Sequence, residues 1–329
     1  MSSRLLLFVV LTASIALSGC GASDEVRAPN RDATLLLDFK PNAVHTGIYT
    51  AVDRGFDSAL GVRLRIRVPS DSTDAGKLLF SGRTDFAILD IHDLALARER
   101  GRDVVGVMAI VQQPLTAILA QPSINSPRRL AGRRVGVRGL PADAALLRSI
   151  VAGAGGHPAR VQTTKLGLSA VQSLLTYRVA GAIASWNVEG VALKARRPGI
   201  QVFRVDDYGG PRYPELVLSV TGATLRGSPA LVRATVAALA RGYEEVVTDP
   251  ENGVSSLLDA TTGLKRNRVQ RELDAVSPSF TAGARAFGEL DPQRLRAWAR
   301  WEKRFGIVER KVDVARAFDG RYVPASGRD

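Results

Sequence analysis

The sequence predicts an α/β protein with two lobes and a helical C-terminal region. Short apolar runs typical of buried strands alternate with helical patterns along residues 34–220. One arrangement also recurs, because Ser81–Ile88 and Thr176–Ile183 each lead from a helix through a turn into a buried strand. From Ser228 onward the apolar residues follow a period of about 3.6. With 329 residues and 45% hydrophobic content, the chain is long enough for two modest cores.

The first twenty residues have the pattern of an export signal. Arg4 is their only charge, and the apolar run Leu5–Leu17 is shorter than the ~20 residues that a membrane span needs. Leu-Ser-Gly-Cys follows, which resembles the lipobox of bacterial lipoproteins. We therefore expect a signal peptide at 1–19, lipidation of Cys20, a flexible tether at 20–32 and anchoring on the extracytoplasmic face of the cell membrane. The alternative is an ordinary secretory signal with an incidental thiol.

Cysteine and charge content exclude further classes of function. Cys20 is the only cysteine, so once it is acylated the chain has no disulfide and no thiolate chemistry. The formal charge is +13, yet the sequence has no basic run, zinc pattern or RNA-binding aromatic motif. We therefore expect no nucleic-acid partner. We expect the positive charge to attract the protein to an anionic membrane surface.

The stretch from Leu35 to Tyr49 predicts a strand, a polar turn and a helix. Its apolar run ends in Asp38 and Phe39, and Asn42 and His45 lead into the helical pattern. In open α/β sheets, ligands bind at the carboxyl ends of the strands. We therefore expect this turn to form one wall of a cleft.

The remainder of the first unit is predicted to contain two more strands and a helix. Residues 62–68 alternate apolar residues with arginines, which predicts a strand with one buried face. A short buried strand at 85–89 ends in Asp90 and His92, where a helix through Arg100 begins.

Two crossings between lobes are predicted, near Ala120 and Leu216. They divide the chain into lobe 1 at 33–119 and 217–329 and lobe 2 at 120–216. The further predicted strands are 104–112, 115–120, 134–138, 161–163, 181–185, 200–205 and 215–220, and the helices of the second lobe are 144–153 and 168–178.

Two motifs carry a resemblance to a known family. They are D-F-x-P-N-x-x-H-x-G-x-Y over residues 38–49 and W-N-x-E-G over residues 186–190. The sequence resembles the pyrimidine-precursor-binding proteins of bacterial thiamine-salvage ABC importers, a superfamily that also contains the fungal-type hydroxymethylpyrimidine phosphate synthases. The resemblance implies a type II periplasmic-binding-protein fold that needs no cofactor or metal. It also implies a monomer that closes over a small aminopyrimidine and delivers it to a permease and ATPase.

The enzyme branch of that superfamily is not expected here. Its pyrimidine derives from a lysine-bound pyridoxal phosphate and a histidine, with an iron-binding cysteine cluster. No lysine lies between Lys77 and Lys165, and residues 207–215 contain no cysteine. His92 lies close to the place of the donor histidine, but an ungapped comparison puts Asp93 there.

An aminopyrimidine needs aromatic faces for stacking and carboxylates or amides at its edge. The candidate ligand-binding residues are Asp38, Phe39, Asn42, His45, Tyr49, Asp90, His92, Trp186, Asn187, Glu189 and Tyr213. Other roles stay open for several of them: Trp186 as a core ring, Asn187 as a helix cap and Glu189 as a first-turn carboxylate. For Asn42 the alternative is a structural role in the turn itself. We expect His45 and His92 to be hydrogen-bonded rather than to hold a metal.

Other ligands fit the same fold, since a fold does not determine which ligand a protein binds. Riboflavin, sulfonate and nitrate receptors are the alternatives, as is a lipoprotein without a transport role. An anion receptor needs an uncompensated arginine in the cleft, and the sequence alone places none of its arginines there.

Overall fold

The computed structural model describes residues 31–70 and 74–325. Its strands are β1 (Arg31–Leu36), β2 (Val62–Arg67), β3 (Phe86–Asp90), β4 (Val104–Ala109), β5 (Thr116–Ala120), β6 (Arg134–Val137), β7 (Gln162–Lys165), β8 (Gly181–Ser185), β9 (Gln201–Arg204) and β10 (Leu216–Thr221).

The helices are α1 (Thr46–Asp53), α2 (Phe56–Ala59), α3 (Asp74–Phe80), α4 (Ile91–Glu99), α5 (Asp143–Gly153), α6 (Ala170–Leu175), α7 (Val191–Arg196), α8 (Gly222–Gly227), α9 (Pro229–Thr248), α10 (Pro250–Asp259), α11 (Arg266–Val276), α12 (Pro278–Thr281), α13 (Pro292–Phe305) and α14 (Val314–Ala317). A 3₁₀ turn, Ala43–His45, precedes α1, and a π-helical turn, Trp186–Gly190, precedes α7.

Two five-stranded sheets form the two lobes. The first has the order β2-β1-β3-β10-β4 and the second the order β7-β6-β8-β5-β9. In each sheet four strands run in the same direction, and the fifth, β10 or β5, is antiparallel to its two neighbours and directly follows a crossing between the lobes. The carboxyl ends of β1, β3, β6 and β8 therefore carry the turns that approach the cleft.

The first crossing lies earlier than the sequence predicts. Strand β5 pairs with β8 and β9, so it belongs to the second lobe and not to the first. The first crossing is therefore residues 110–115 and the second is residues 205–215. Both strands that flank the first crossing are fully buried apolar runs, so only their pairing decides to which sheet each belongs.

The start of the fold also differs from the prediction. Strand β1 begins at Arg31, pairing with Val62, so the last two residues of the predicted tether belong to the first sheet. The predicted signal peptide and Cys20 lie outside the described residues. Among the helices that the structure describes, none is long and apolar enough to cross a membrane.

The C-terminal helices cover the first sheet and reach the second lobe. Helix α9 packs against α1, while α13 packs against α5 of the second lobe. The indole N–H of Trp301 donates to Ser149 Oγ at 2.9 Å, and Arg148 donates to the carbonyl of Phe305. Helix α13 therefore links the two lobes.

Candidate functional site

The turn after β1 is held together by its own side chains. Asn42 Oδ1 accepts the Val44 N–H at 2.9 Å, and Asn42 Nδ2 donates to the carbonyl of Lys40 at 3.0 Å. The Asn42 N–H in turn donates to His45 Nδ1 at 3.2 Å, which completes a reciprocal cap. Asn42 therefore uses both amide atoms to build the turn.

His45 is fully buried, and both of its ring nitrogens are engaged. Because Nδ1 accepts a backbone N–H, the ring proton lies on Nε2, which donates to Asp38 Oδ1 at 2.9 Å. Asp38 and Phe39 are half-buried at the end of the strand. Tyr49 is buried on α1, and burial raises the pKa of its phenol to about 12.

The turn after β8 is fixed to the first crossing. The backbone N–H of Trp186 donates to the Leu115 carbonyl at 3.0 Å, and its indole N–H donates to the Pro114 carbonyl at 2.9 Å. The Arg204 guanidinium lies over the indole, 4.3 Å from the ring centroid. The indole is therefore held at its edge and covered on one face.

Asn187 is the unusual residue of this turn. Its side chain is buried, with 1% of the residue exposed, and neither Oδ1 nor Nδ2 has a hydrogen-bond partner. Its neighbour Glu189 accepts the Ser185 N–H at 3.2 Å and so closes the turn. Leaving a buried polar group unpaired costs ~1–3 kcal/mol, so two such atoms in one side chain indicate a missing partner.

The two turns approach each other at α11. This helix packs against both the 43–45 turn and the 186–190 turn. Its Glu272 accepts a backbone hydrogen bond from Ala43, and burial together with the nearby charge of Glu189 raises its pKa, partly offset by Arg268. The walls contributed by the two lobes therefore converge at one end of the cleft.

A second group of predicted residues lies around α4. Asp90 caps this helix by accepting the His92 N–H at 2.8 Å. His92 is buried, with Nδ1 bonded to Glu302 of α13 and Nε2 at 3.2 Å from the Tyr213 hydroxyl. Burial alone would lower the pKa of His92, but the carboxylates of Glu302, Asp90 and Glu215 raise it to about 10. These carboxylates therefore favour the protonated form of His92.

Arg138, in the turn after β6, faces this group from the second lobe. Two of its nitrogens contact Asp143 Oδ1, at 3.0 and 2.9 Å. Burial would lower the pKa of Arg138, but Asp143, Asp90 and Glu215 raise it. On the opposite side, burial and the charge of Asp90 raise the pKa of Asp93 to about 7. This end of the cleft therefore consists of charges that offset one another.

Glu215 joins the two crossings. Its carboxylate accepts the Leu115 N–H at 2.8 Å and the Thr116 hydroxyl at 2.5 Å, and its carbonyl accepts the Ile91 N–H at 2.8 Å. Burial and Asp90 raise the pKa of this carboxyl group. Glu215 therefore ties the second crossing to the first and to the start of α4.

The predicted residues thus form two groups. Those of the β1 and β8 turns meet at α11, whereas Asp90, His92 and Tyr213 lie with Arg138 and Glu302. Five further residues of these two groups were not predicted from the sequence: Arg138, Arg204, Glu215, Glu272 and Glu302. Two of these had a signal, because Glu272 and Glu302 each lie three residues after a buried apolar residue of an amphipathic helix, at positions where the stripe predicts burial.

Comparison with solved structures shows the fold family. The chain is similar to the periplasmic aliphatic sulphonate binding protein of Escherichia coli, with a TM-score of 0.72 and 14% identity over 92% of this chain and 96% of the other. Together with the two mixed sheets and the two crossings, this shows the two-lobed periplasmic-binding-protein fold.

The family follows from sequence. Residues 42–253 match the family described as NMT1/THI5 like, and the chain belongs to that family. It is 31% identical to the formylaminopyrimidine-binding protein of Halalkalibacterium halodurans over 86% of this chain and 88% of that protein. It is 25% identical to the 4-amino-5-hydroxymethyl-2-methylpyrimidine phosphate synthase of Legionella pneumophila over 88% and 92% of the two chains.

Proposed function

We propose that the protein is the extracytoplasmic solute receptor of an ABC importer and that it binds an aminopyrimidine precursor of thiamine between its lobes. The fold and the likeness to a formylaminopyrimidine-binding protein support a receptor for a pyrimidine-related solute. In this proposal the receptor is a monomer, lipidated at Cys20, and it passes its ligand to a permease and an ATPase.

The unpaired amide of Asn187 carries this proposal. An aminopyrimidine presents an exocyclic N–H donor beside a ring-nitrogen acceptor. A carboxamide matches that edge with two parallel hydrogen bonds, as asparagine does with adenine in nucleic acids. Oδ1 would accept from the exocyclic amine and Nδ2 would donate to the ring nitrogen, which satisfies both buried atoms.

The neighbouring indole supplies the second requirement, an aromatic face. Trp186 immediately precedes Asn187, and its edge is fixed by the hydrogen bond to Pro114. Offset stacking of a flat ring on it is worth ~0.5–1.5 kcal/mol beyond the area buried. Stacking and edge recognition by adjacent residues would define both the plane and the rotation of the ligand.

The enzyme of the same family is not favoured by the residues present. The chain has no lysine between Lys77 and Lys165 and no cysteine in the second crossing. His92, close to the place of a donor histidine, is buried and bonded to Glu302 and Tyr213. These contacts support a structural role for the histidine.

A thermal-unfolding screen tests the proposal. All described strands and helices lie between Arg31 and Tyr322, so residues 24–329 retain them. The panel is formylaminopyrimidine, hydroxymethylpyrimidine, thiamine, riboflavin, taurine and nitrate. A ligand at a hundred times its Kd adds ~2.7 kcal/mol of stability, which raises the midpoint measurably. We expect a shift with the pyrimidines, whereas a shift with riboflavin or an anion alone would contradict the ligand class.

A further inference from the structure

Arg204 at the end of β9 is the one described cation that covers the indole of Trp186. Its guanidinium carbon lies 4.3 Å from the ring centroid, which is the geometry of a cation–π contact. Among the described aromatic contacts, no other ring packs on this indole. One face of Trp186, a buried residue that is 9% exposed, is thus occupied by Arg204, and under the proposed function a flat ligand stacks on the other.

The same guanidinium is bonded to the first crossing. Arg204 donates to Gln113 Oε1 at 3.0 Å, and Ser279 Oγ from α12 of the first lobe donates to the same oxygen at 3.1 Å. Gln113 directly precedes Pro114, whose carbonyl holds the indole N–H. A continuous set of contacts therefore joins Trp186 in the second lobe, the crossing and the first lobe.

The charge of Arg204 is already compensated. Its Nε donates to Asp206 Oδ1 at 3.4 Å, and the Asp206 side chain is only 5% exposed. The guanidinium is therefore placed to present its flat face to the indole and its N–H groups to fixed acceptors, rather than to bind a free anion.

We propose that Arg204 is a positioning residue for ligand stacking, which fixes the plane of Trp186 and couples that ring to the first crossing. The inference rests on the proposed function, because it assumes a ligand that stacks on Trp186. Without Arg204 one face of the indole would be uncovered, and only the hydrogen bond to Pro114 would hold the ring. The ring could then tilt, and ligand stacking would become weaker.

The second lobe contains a matched control. Arg197 lies over the ring of Tyr177 at 4.2 Å and donates to Gln121 Oε1 at 3.0 Å. Tyr177 is 69% exposed and is not among the cleft residues. Substitutions of Arg197 therefore remove a stacked, hydrogen-bonded arginine from the same lobe without changing the Trp186 turn.

The test compares Arg204→Gln and Arg204→Lys with Arg197→Gln and Arg197→Lys. Affinity for formylaminopyrimidine is measured by calorimetry, and the indole N–H signals of the three tryptophans are recorded by NMR without ligand and assigned with Trp186→Phe. We expect Arg204→Gln to raise Kd at least tenfold over Arg197→Gln and to shift the Trp186 signal alone. Arg204→Lys should lie in between, since an ammonium covers the ring but cannot bridge two acceptors in the same way.

The outcomes separate this inference from the proposed function. If pyrimidine binds equally well to the Arg204 and Arg197 variants, the positioning role is wrong and the proposed function stands. If the wild-type protein binds no pyrimidine, the proposed function fails. The NMR signal of Trp186 without ligand then shows whether Arg204 still positions the indole. An unshifted signal in both Arg204 variants would overturn the inference.

Discussion

The two asparagines that the sequence placed in the cleft have opposite environments. Asn42 uses Oδ1 and Nδ2 to bond Val44 and Lys40, within its own turn. Asn187 has neither atom paired, although it is buried more deeply. The side chain of Asn42 therefore stabilises the turn that forms one wall of the cleft. The side chain of Asn187 lies in the opposite wall with its polar atoms unpaired.

The two ends of the cleft also differ in the charge of the groups that line them. Around His92 the groups are charged, and Glu302, Arg138 and Asp143 lie in opposite-charge pairs. Around Trp186 the two groups that we propose for ligand recognition are a neutral ring and a neutral amide. Opposite charges that face each other from the two lobes, as Arg138 faces Asp90, favour one arrangement of the lobes, while neutral groups with precise geometry suit an uncharged, flat ligand.

The largest effect is expected at the charged end. Glu302→Ala leaves the His92 cation buried without its partner, which typically costs 3–5 kcal/mol in the free energy of unfolding. Ligand affinity of the folded protein should stay unchanged. Denaturant unfolding and calorimetry measure the two quantities, with Glu309→Ala, an exposed position just beyond α13, as the control. A large loss of affinity with little loss of stability would contradict the division between the two ends.

A smaller effect is expected from the wall-building asparagine. Asn42→Ala removes the side-chain cap of the turn before α1 and should lower the free energy of unfolding by about 1 kcal/mol. Because Oδ1 and Nδ2 of Asn42 both form hydrogen bonds within the turn, its direct contribution to ligand affinity should be small. Chemical denaturation and titration of the same sample check both; a stable variant with strongly reduced affinity would assign Asn42 to the ligand instead.

An effect that is spread over several pH units concerns His92. Its pKa is about 10 in the folded protein against an ordinary value of 6.5, so its contribution to stability is fully present below pH 6.5 and is lost as pH rises through about 10. Unfolding free energies measured from pH 6 to pH 10 should therefore decline in the wild type. Glu302→Gln should flatten the decline; parallel curves for the two proteins would assign it to other groups.

Much of the fold could be predicted because local patterns determine it. The alternation of arginines with apolar residues gave β2, and the apolar run 181–185 gave β8 with its observed ends. The assignment of β5 to a sheet could not be predicted, because a strand buried on both faces has no pattern that identifies its neighbours.

The candidate site was predictable in part for the same reason. Trp186 and Asn187 follow a strand directly, so sequence order alone places them at the end of the sheet. Arg204 and Glu302 act through contacts with residues 18 and 210 positions away, Trp186 and His92. Such pairings depend on tertiary packing, which single-residue patterns do not encode.

The central claim is that the Asn187 amide recognises the edge of an aminopyrimidine. Calorimetric titration of Asn187→Asp with formylaminopyrimidine at pH 8 tests it most directly, with Asn125→Asp, an exposed position of the same lobe, as the control. Aspartate keeps the shape and an acceptor oxygen but loses the N–H donor, so a carboxylate oxygen would face the ring nitrogen. We expect Kd to rise at least tenfold, about 1.4 kcal/mol, in Asn187→Asp alone. Equal affinities in the two variants would contradict the claim.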